Sequence, residues 1–175
     1  MSDKAYLTIE GLDKLEAQFN QLDSVMQGKV LRKVVKAAMQ PVLAATVASY
    51  RTQWQGETGL LAESFRLRVK LPKKPTWADA IASVGVFRNR QAQEKAGRKL
   101  DPPVYAYWLE HGVEPHATGD GAKRGRDKKQ GSGLQHPGFA ARPFLRPAFD
   151  ANLSRILQTE ITLLNQLIDK ALNHA

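Results

Sequence analysis

Apolar residues at helical spacing predict two helices in the N-terminal third of the chain. The first is marked by four apolar residues three or four positions apart, which suits a helix of about three turns: Leu12, Leu15, Phe19 and Leu22. The second follows a weak break near Gly28 and runs from Val30 to about Trp54. Pro41 lies inside this second series and is expected to kink the helix, because its ring displaces the carbonyl four residues earlier. In front of both helices, an alternating stretch over residues 5–10 predicts a strand or extended arm.

Strict alternation of apolar and basic residues over residues 65–71 predicts a β-strand. Its basic face carries Arg66, Arg68 and Lys70, which are expected either to contact DNA or an acidic partner or only to keep an exposed sheet soluble. A turn over residues 72–75 and a β-branched stretch over residues 78–87 complete a predicted antiparallel hairpin. Before the hairpin, Thr58 is expected to cap a short helix, because its side-chain oxygen can accept a hydrogen bond from the first turn.

An aromatic segment over residues 104–111 predicts a short helix, with Gly112 as its C-cap. Tyr105, Tyr107 and Trp108 face several sides of such a helix, so most of the segment is expected to be buried. Glu110 then stands at the boundary of the core.

Two stretches lack the pattern of a packed element and are expected to be mobile loops. Residues 88–100 are polar and without periodicity. Residues 113–138 are rich in glycine and in Lys or Arg and hold almost no apolar residues, so they cannot bury enough surface to fold alone. The second loop carries five cations: Lys123, Arg124, Arg126, Lys128 and Lys129. These cations are expected either to contact DNA or an acidic partner, or to belong to a solvated tether.

The last helical pattern follows a block of prolines, arginines and aromatic residues over residues 142–150. Pro143 and Pro147 fix φ near the helical value and lack an N–H, so each is tolerated in a first helical turn. We therefore place the helix start at about Pro147. The apolar spacing that follows predicts one helix of about 27 residues.

Glu110 is expected to have a structural role. A carboxylate at the core boundary needs a partner, since an unpaired buried charge is costly. We expect Glu110 to pair with Arg142 or Arg146, or to accept a hydrogen bond from a backbone N–H. Phe144 is expected to be buried in the same packing hub.

Composition fits one folded domain, because the chain has 175 residues and 42% of them are hydrophobic. The absence of cysteine excludes disulfides and thiolate catalysis and favours folding inside a cell. No stretch of the sequence approaches the roughly 20 apolar residues of a membrane span, so we expect a soluble protein with no membrane partner.

The net charge of +9 comes from the middle of the chain. Residues 61–146 hold 17 Lys or Arg against 8 Asp or Glu, whereas the two flanking parts are nearly balanced. A basic field of this kind attracts nucleic acid or an acidic protein surface through salt-sensitive forces.

Catalytic and metal chemistry find little support in the sequence. One cluster of candidate metal ligands combines Glu110, His111, Glu114 and His116 with His136. Two histidines five positions apart around a glycine and a proline match no regular ligand spacing, and no known catalytic motif occurs. We expect no enzyme activity, no metal and no cofactor.

Three sequence blocks in a fixed order, with one shorter match before them, carry a resemblance to a protein family. The shorter match is Gly11-Leu12-x-x-Leu15, and the blocks are Thr58-Gly59-x-Leu61-x-x-Ser64, Tyr105-x-x-Trp108-x-Glu110-x-Gly112 and Ala141-Arg142-Pro143-Phe144-Leu145-Arg146-Pro147-Ala148. In these blocks the chain resembles the head-to-tail joining and tail-completion proteins of long-tailed bacteriophages, which include the minor tail protein Z-like neck proteins. It departs from them at Val113, where a threonine is common, and in the link of about 25 residues before the proline block, which is shorter in the family.

The resemblance implies an α+β fold: a small twisted antiparallel sheet with a basic hairpin, packed by long N- and C-terminal helices. It implies a structural virion protein, made in the bacterial cytoplasm, that forms a ring, expected as a hexamer, at the head-proximal end of the tail. Its partners would be the tail-tube or tail-terminator protein, the head connector or stopper protein, and the end of the packaged DNA without sequence specificity. The matching residues would serve packing and assembly: Thr58, Gly59, Leu61, Tyr105, Trp108, Glu110, Gly112, Arg142, Pro143, Phe144, Leu145, Arg146 and Pro147.

Two alternatives from other classes stay open. The first is a DNA-binding module that uses the basic region 61–146, which should bind duplex as a monomer or dimer with a steep salt dependence. The second, a metal hydrolase, would require a metal site that the ligand spacing does not favour.

Overall fold

A computed structural model describes residues 12–54, 59–72, 79–95, 101–118 and 134–173. These residues form six α-helices, one 3-10 helix (Ala62–Ser64) and two small sheets, so the predicted α+β class is confirmed. The helices are α1 (Leu12–Phe19), α2 (Ser24–Gln53), α3 (Arg90–Lys95), α4 (Pro102–His111), α5 (Leu145–Asp150) and α6 (Leu153–Leu172). Strands β1 (Phe65–Lys70) and β2 (Ile81–Val86) form one sheet, and β3 (His116–Thr118) and β4 (Leu134–His136) form the other.

The chain divides into two compact units, each built from separate segments. The first unit takes the described residues of Met1–Pro41, Arg68–Ser83 and Leu153–Ala175, and the second takes those of Val42–Leu67 and Val84–Asn152. The division falls inside α2 at Pro41, the proline that was expected to kink this helix.

The first unit has a core of aliphatic side chains. Its buried members come from α1, α2 and α6 and the turn after α1: Leu15, Leu22, Val30, Val34 and Ile168. The pattern of α6 explains this packing, because its apolar residues recur at helical spacing and place one stripe toward the core.

The second unit has an aromatic core. Tyr50 near the end of α2, Phe65 at the start of β1 and Phe144 before α5 are all buried, together with Leu61, Ala106 and Leu109. This unit contains the described residues of the three longer blocks of the resemblance, whereas Leu12 and Leu15 of the shorter match lie in the first unit.

Helix α2 begins earlier than predicted and has no break at Gly28. The Asp23 carboxylate accepts hydrogen bonds of 2.8 Å from the N–H groups of Val25 and Met26, which makes Asp23 the N-cap. Gly28 lies inside the helix, where an added Cβ would meet the Leu71 side chain at 3.3 Å. The glycine therefore permits a close approach and does not end a helix.

Several other boundaries differ from the predictions. Helix α1 has eight residues and is shorter than three turns. Part of the predicted loop over residues 88–100 is helix α3. The predicted strand over residues 5–10 and most of the hairpin turn lie outside the described residues.

The predicted mobile loop over residues 113–138 is wrong at both of its ends. Strands β3 and β4 pair antiparallel there, with His116 opposite His136 and Thr118 opposite Leu134. A further bridge joins Val113 to Phe139. Since backbone hydrogen bonds need no apolar side chains, a polar, glycine-rich stretch can still form such a ribbon.

The single C-terminal helix was also predicted incorrectly. Helix α5 begins at Leu145, two residues before Pro147, and ends at Asp150, after which α6 begins at Leu153. The side-chain amide of Asn152 donates to the Ala148 carbonyl at 2.8 Å. It takes the place of a backbone N–H between the two helices.

Candidate functional site

A buried carboxylate in the second unit joins two helices, α4 and α5. Glu110, in the last turn of α4, is 9% exposed. Its Oε2 atom accepts hydrogen bonds from the N–H groups of Phe144 and Leu145, at 2.9 and 3.1 Å. Its Oε1 atom accepts one from the N–H of Arg146 at 3.2 Å. The expected backbone partner of Glu110 is therefore present.

These bonds complete the start of helix α5. The first four N–H groups of any helix lack partners within it. Glu110 accepts from three of them, and the fourth position is Pro147, which has no N–H to satisfy. A negative charge at this end also interacts favourably with the helix dipole. Pro147 therefore suits the helix start for two reasons: its φ is fixed near the helical value, and it adds no N–H that lacks a partner.

The arginines that were also considered as partners of Glu110 have other contacts. The Nε atom of Arg146 lies 3.8 Å from Oδ2 of Asp150 on the exposed side of α5. The guanidinium of Arg142 lies 5.3 Å from the centre of the Trp54 ring, in a cation–π arrangement. Backbone N–H groups at a helix start are fixed in place, whereas an arginine would lose side-chain entropy to reach the same carboxylate.

Phe144 is fully buried, as predicted. Its ring centre lies 5.6 Å from that of Tyr50 and 5.7 Å from that of Phe65, and both pairs meet edge to face. Burial, and to a lesser degree Tyr105, raise the pKa of the Tyr50 hydroxyl. The proline block is thus anchored on an aromatic cluster from α2 and β1.

The end of α2 holds the segment before α5. The side-chain amide of Gln53 donates to the Pro143 carbonyl at 3.1 Å, and the Trp54 indole N–H donates to the Arg142 carbonyl at 3.4 Å. The Arg142 N–H donates to the Leu109 carbonyl at 3.1 Å. The end of α2 and helix α4 therefore fix this segment. Sequence reasoning missed Tyr50, Gln53 and Trp54 as members of the site.

Gly112 is the C-cap of α4, as predicted. Its φ is +79°, and its N–H donates to the Trp108 carbonyl at 2.7 Å. An added Cβ would lie 2.7 Å from the Ala141 nitrogen and 2.9 Å from the Phe139 oxygen. Both the left-handed backbone and the close approach of residues 139–141 require glycine here.

The aromatic residues of α4 are each more than a third exposed, so the prediction that most of this helix is buried was wrong. The exposed fractions are 43% for Val104, 40% for Tyr105, 62% for Tyr107 and 39% for Trp108. Pro102, Ala106, Leu109 and Glu110 form its buried side instead. We call the four exposed residues the aromatic face of α4.

The first of the three blocks of the resemblance is only partly described. Thr58 lies outside the described residues, so its predicted cap is not assigned. Gly59 has a φ of +63°, Leu61 is buried, and the Ser64 hydroxyl donates to the Leu60 carbonyl at 2.7 Å. The Ser64 bond satisfies a buried hydroxyl within its own turn.

The predicted basic face of β1 is exposed. Arg66, Arg68 and Lys70 alternate with less exposed residues along the strand. The guanidinium of Arg66 donates to the carbonyls of Glu63 and Phe65, at 2.6 and 2.9 Å. The five cations over residues 123–129 lie outside the described residues.

His116 and His136 meet across the β3–β4 ribbon. Their rings stack with centres 5.0 Å apart. The Nδ1 of His136 accepts from the Gly138 N–H at 3.0 Å, and the Nδ1 of His116 lies 2.9 Å from the Glu114 carbonyl. In the described part of the chain, no three His, Cys, Asp or Glu residues are placed to hold a metal ion together.

No protein-family model matches the chain, and comparisons with curated proteins and with solved structures give no match either. Within the described ranges, no helix has the length and apolar character needed to cross a membrane.

Proposed function

We propose that this chain is a structural virion protein that forms a ring, as a hexamer, at the head-proximal end of a phage tail and joins the tail to the head connector. The observation that supports this most is the aromatic face of α4, which is exposed on a helix whose other side is fixed by Glu110. Tyrosine and tryptophan are enriched at protein interfaces and dominate their binding energy. A rigidly held aromatic face suits a contact between subunits.

Such a ring works through geometry. Each copy repeats one heterologous contact with the next until the rotation closes. The completed ring would bind the tail-tube or tail-terminator protein on one side and the head connector or stopper protein on the other. The end of the packaged DNA would meet its basic residues through phosphate contacts, without sequence reading.

The oligomer mass tests this proposal. Native mass spectrometry of the purified chain, alone and with tail-tube and head-connector proteins, should detect a ring. Tyr107→Lys places a charge on the aromatic face and should prevent ring formation. Val25→Lys is the matched control, since Val25 is 65% exposed and lies in the first unit. A parent that stays monomeric with both partners, or a Tyr107→Lys variant that assembles normally, would refute the proposal.

A DNA-binding module is the second candidate, supported by the exposed cations of β1. It predicts binding to duplex DNA as a monomer or dimer, with an affinity that falls steeply as salt rises. Weak DNA binding together with ring formation would exclude it.

A further inference from the structure

A groove in the first unit combines an apolar floor with a basic rim. It has a volume of about 300 Å³ and lies between α2 and α6. Met26, Val30, Leu167 and Ala171 supply its apolar lining. Lys29 and Lys33 of α2 and Lys170 of α6 are its charged residues, and none of the described residues that line it is acidic.

The ammonium groups of the three lysines make no ion pair or hydrogen bond with the described residues. All three lysines are exposed beside the apolar lining, so their ammonium groups can reach carboxylates at the edges of a ligand. The groove therefore offers two complementary features to one ligand: burial for apolar groups and charge for acidic ones.

We propose that this groove binds an acidic amphipathic helix of a partner protein. Helices that dock in grooves insert apolar residues at positions i, i+3, i+4 and i+7 and keep polar residues at the edges. Lys29 and Lys33 are one helical turn apart, about 6 Å along the axis, and Lys170 stands on the other helix. This spread of charge matches a ligand with several carboxylates.

Charge also selects against two other occupants. A single-headed amphiphile such as a fatty acid carries one carboxylate, which one lysine satisfies, so it leaves the other lysines unused. A second copy of this chain would bring another net charge of +9 toward the same basic rim. The acidic helix uses both features of the groove, and this inference does not depend on ring assembly.

A designed peptide tests the proposal on the full-length chain. The probe is a fluorescent helical peptide of about 15 residues with leucine at the inserting positions and glutamate at the edges. Its binding is followed by fluorescence anisotropy. A second peptide carries glutamine in place of every glutamate, and is expected to bind at least about tenfold more weakly.

Two triple variants separate the groove from the general basic field. Lys29→Gln, Lys33→Gln and Lys170→Gln together should weaken the glutamate peptide by about tenfold or more. Lys14→Gln, Arg51→Gln and Arg155→Gln remove the same charge from exposed positions outside the groove, and should change the affinity by less than about threefold. Circular dichroism and thermal unfolding check that both variants fold.

A photo-crosslinker at the central leucine of the probe is expected to label Met26 or Leu167. Equal binding of the glutamine peptide, an equal loss in the control triple variant, or labelling elsewhere would overturn the proposal. So would lysine-dependent binding of lauric acid without binding of the peptide. Removal of residues 1–11 that strengthened peptide binding would also overturn it, because the groove would then serve this chain's own N-terminal segment.

Discussion

The carboxylate of Glu110 accepts hydrogen bonds from backbone N–H groups at the start of another helix. Three N–H groups share its two oxygens, and all three belong to residues that begin α5. Backbone donors at a helix start are already oriented, so they stabilise the charge without ordering any further side chain. Burying this carboxylate is therefore compatible with a stable fold.

Glu110→Gln should destabilise the protein by about 1 to 3 kcal/mol. Glutamine keeps one oxygen, but its NH2 group would face an N–H donor, and the charge at the helix start would be lost. Urea unfolding measures the change. The control is Glu114→Gln, an exposed acid close by, which should stay within about 0.5 kcal/mol of the parent. Equal stabilities of the two variants would contradict the role of Glu110.

Phe144→Ala should cost about 3 to 5 kcal/mol, because it empties a fully buried site that two other aromatic rings contact. Phe149→Ala removes the same ring from a position that is 40% exposed, and should cost about 1 kcal/mol or less. Thermal or urea unfolding distinguishes them. A Phe144→Ala variant that melts like the parent would show that the ring is not part of the core.

Glu160, in the first unit, should make the stability of the protein depend on pH. Burial raises its pKa above the ordinary value of 4.5. The folded state therefore disfavours the ionised form, and this penalty appears as pH rises from near 4.5 through the raised pKa. Glu160→Gln should stabilise the protein at about pH 7 and give no gain at about pH 3.5, below the unfolded value. Urea unfolding at both pH values checks it, and an equal gain at both would contradict it.

At the scale of elements, periodicity identified most helices and the hairpin, because apolar spacing records which residues can share a face. It did not show which faces are covered. In α4, aromatic residues occupy the exposed side and Ala106, Leu109 and Glu110 the buried side, an inversion that hydrophobicity alone cannot reveal.

The contacts of the candidate site were predictable only in part. The position of Glu110 at the end of an aromatic helix was enough to predict a partner for it, either Arg142, Arg146 or a backbone N–H. The contributions of Gln53 and Trp54 could not be predicted, since their contacts with Pro143 and Arg142 join residues 90 and 88 positions apart. A single sequence carries no signal that pairs residues over such distances.

The end of α4 gives a prediction at this scale. Gly112→Ala should cost about 1 to 3 kcal/mol or more, because alanine is strained at positive φ and its Cβ would meet residues 139 and 141. Gly85→Ala is the matched control, since Gly85 has no atom within 4 Å of an added Cβ and no positive φ. Comparison of the two melting temperatures checks it. Similar losses would indicate that residues 139–141 can move aside.

For the whole molecule, the β3–β4 ribbon allows the basic segment to be removed cleanly. Thr118 and Leu134 are directly opposed, so an Asn-Gly turn can replace residues 119–133 and close the ribbon. Under the proposed virion function, we expect assembled particles of this variant to lose DNA retention, because five cations leave with the segment. Particle yield, infectivity and DNA retention measure this. Normal values of all three would mean that the segment is a tether.

The hydrogen bonds of Glu110 to the start of α5 should also slow the hydrogen exchange of the amides that they bind. Amides in the first turn of a helix normally exchange fast with solvent, since no carbonyl within the helix protects them. Those of Phe144, Leu145 and Arg146 are bound to a carboxylate of α4 and can exchange only when the two helices separate. Their exchange rates therefore report the opening of the second unit, and fraying of α5 at its other end leaves them protected.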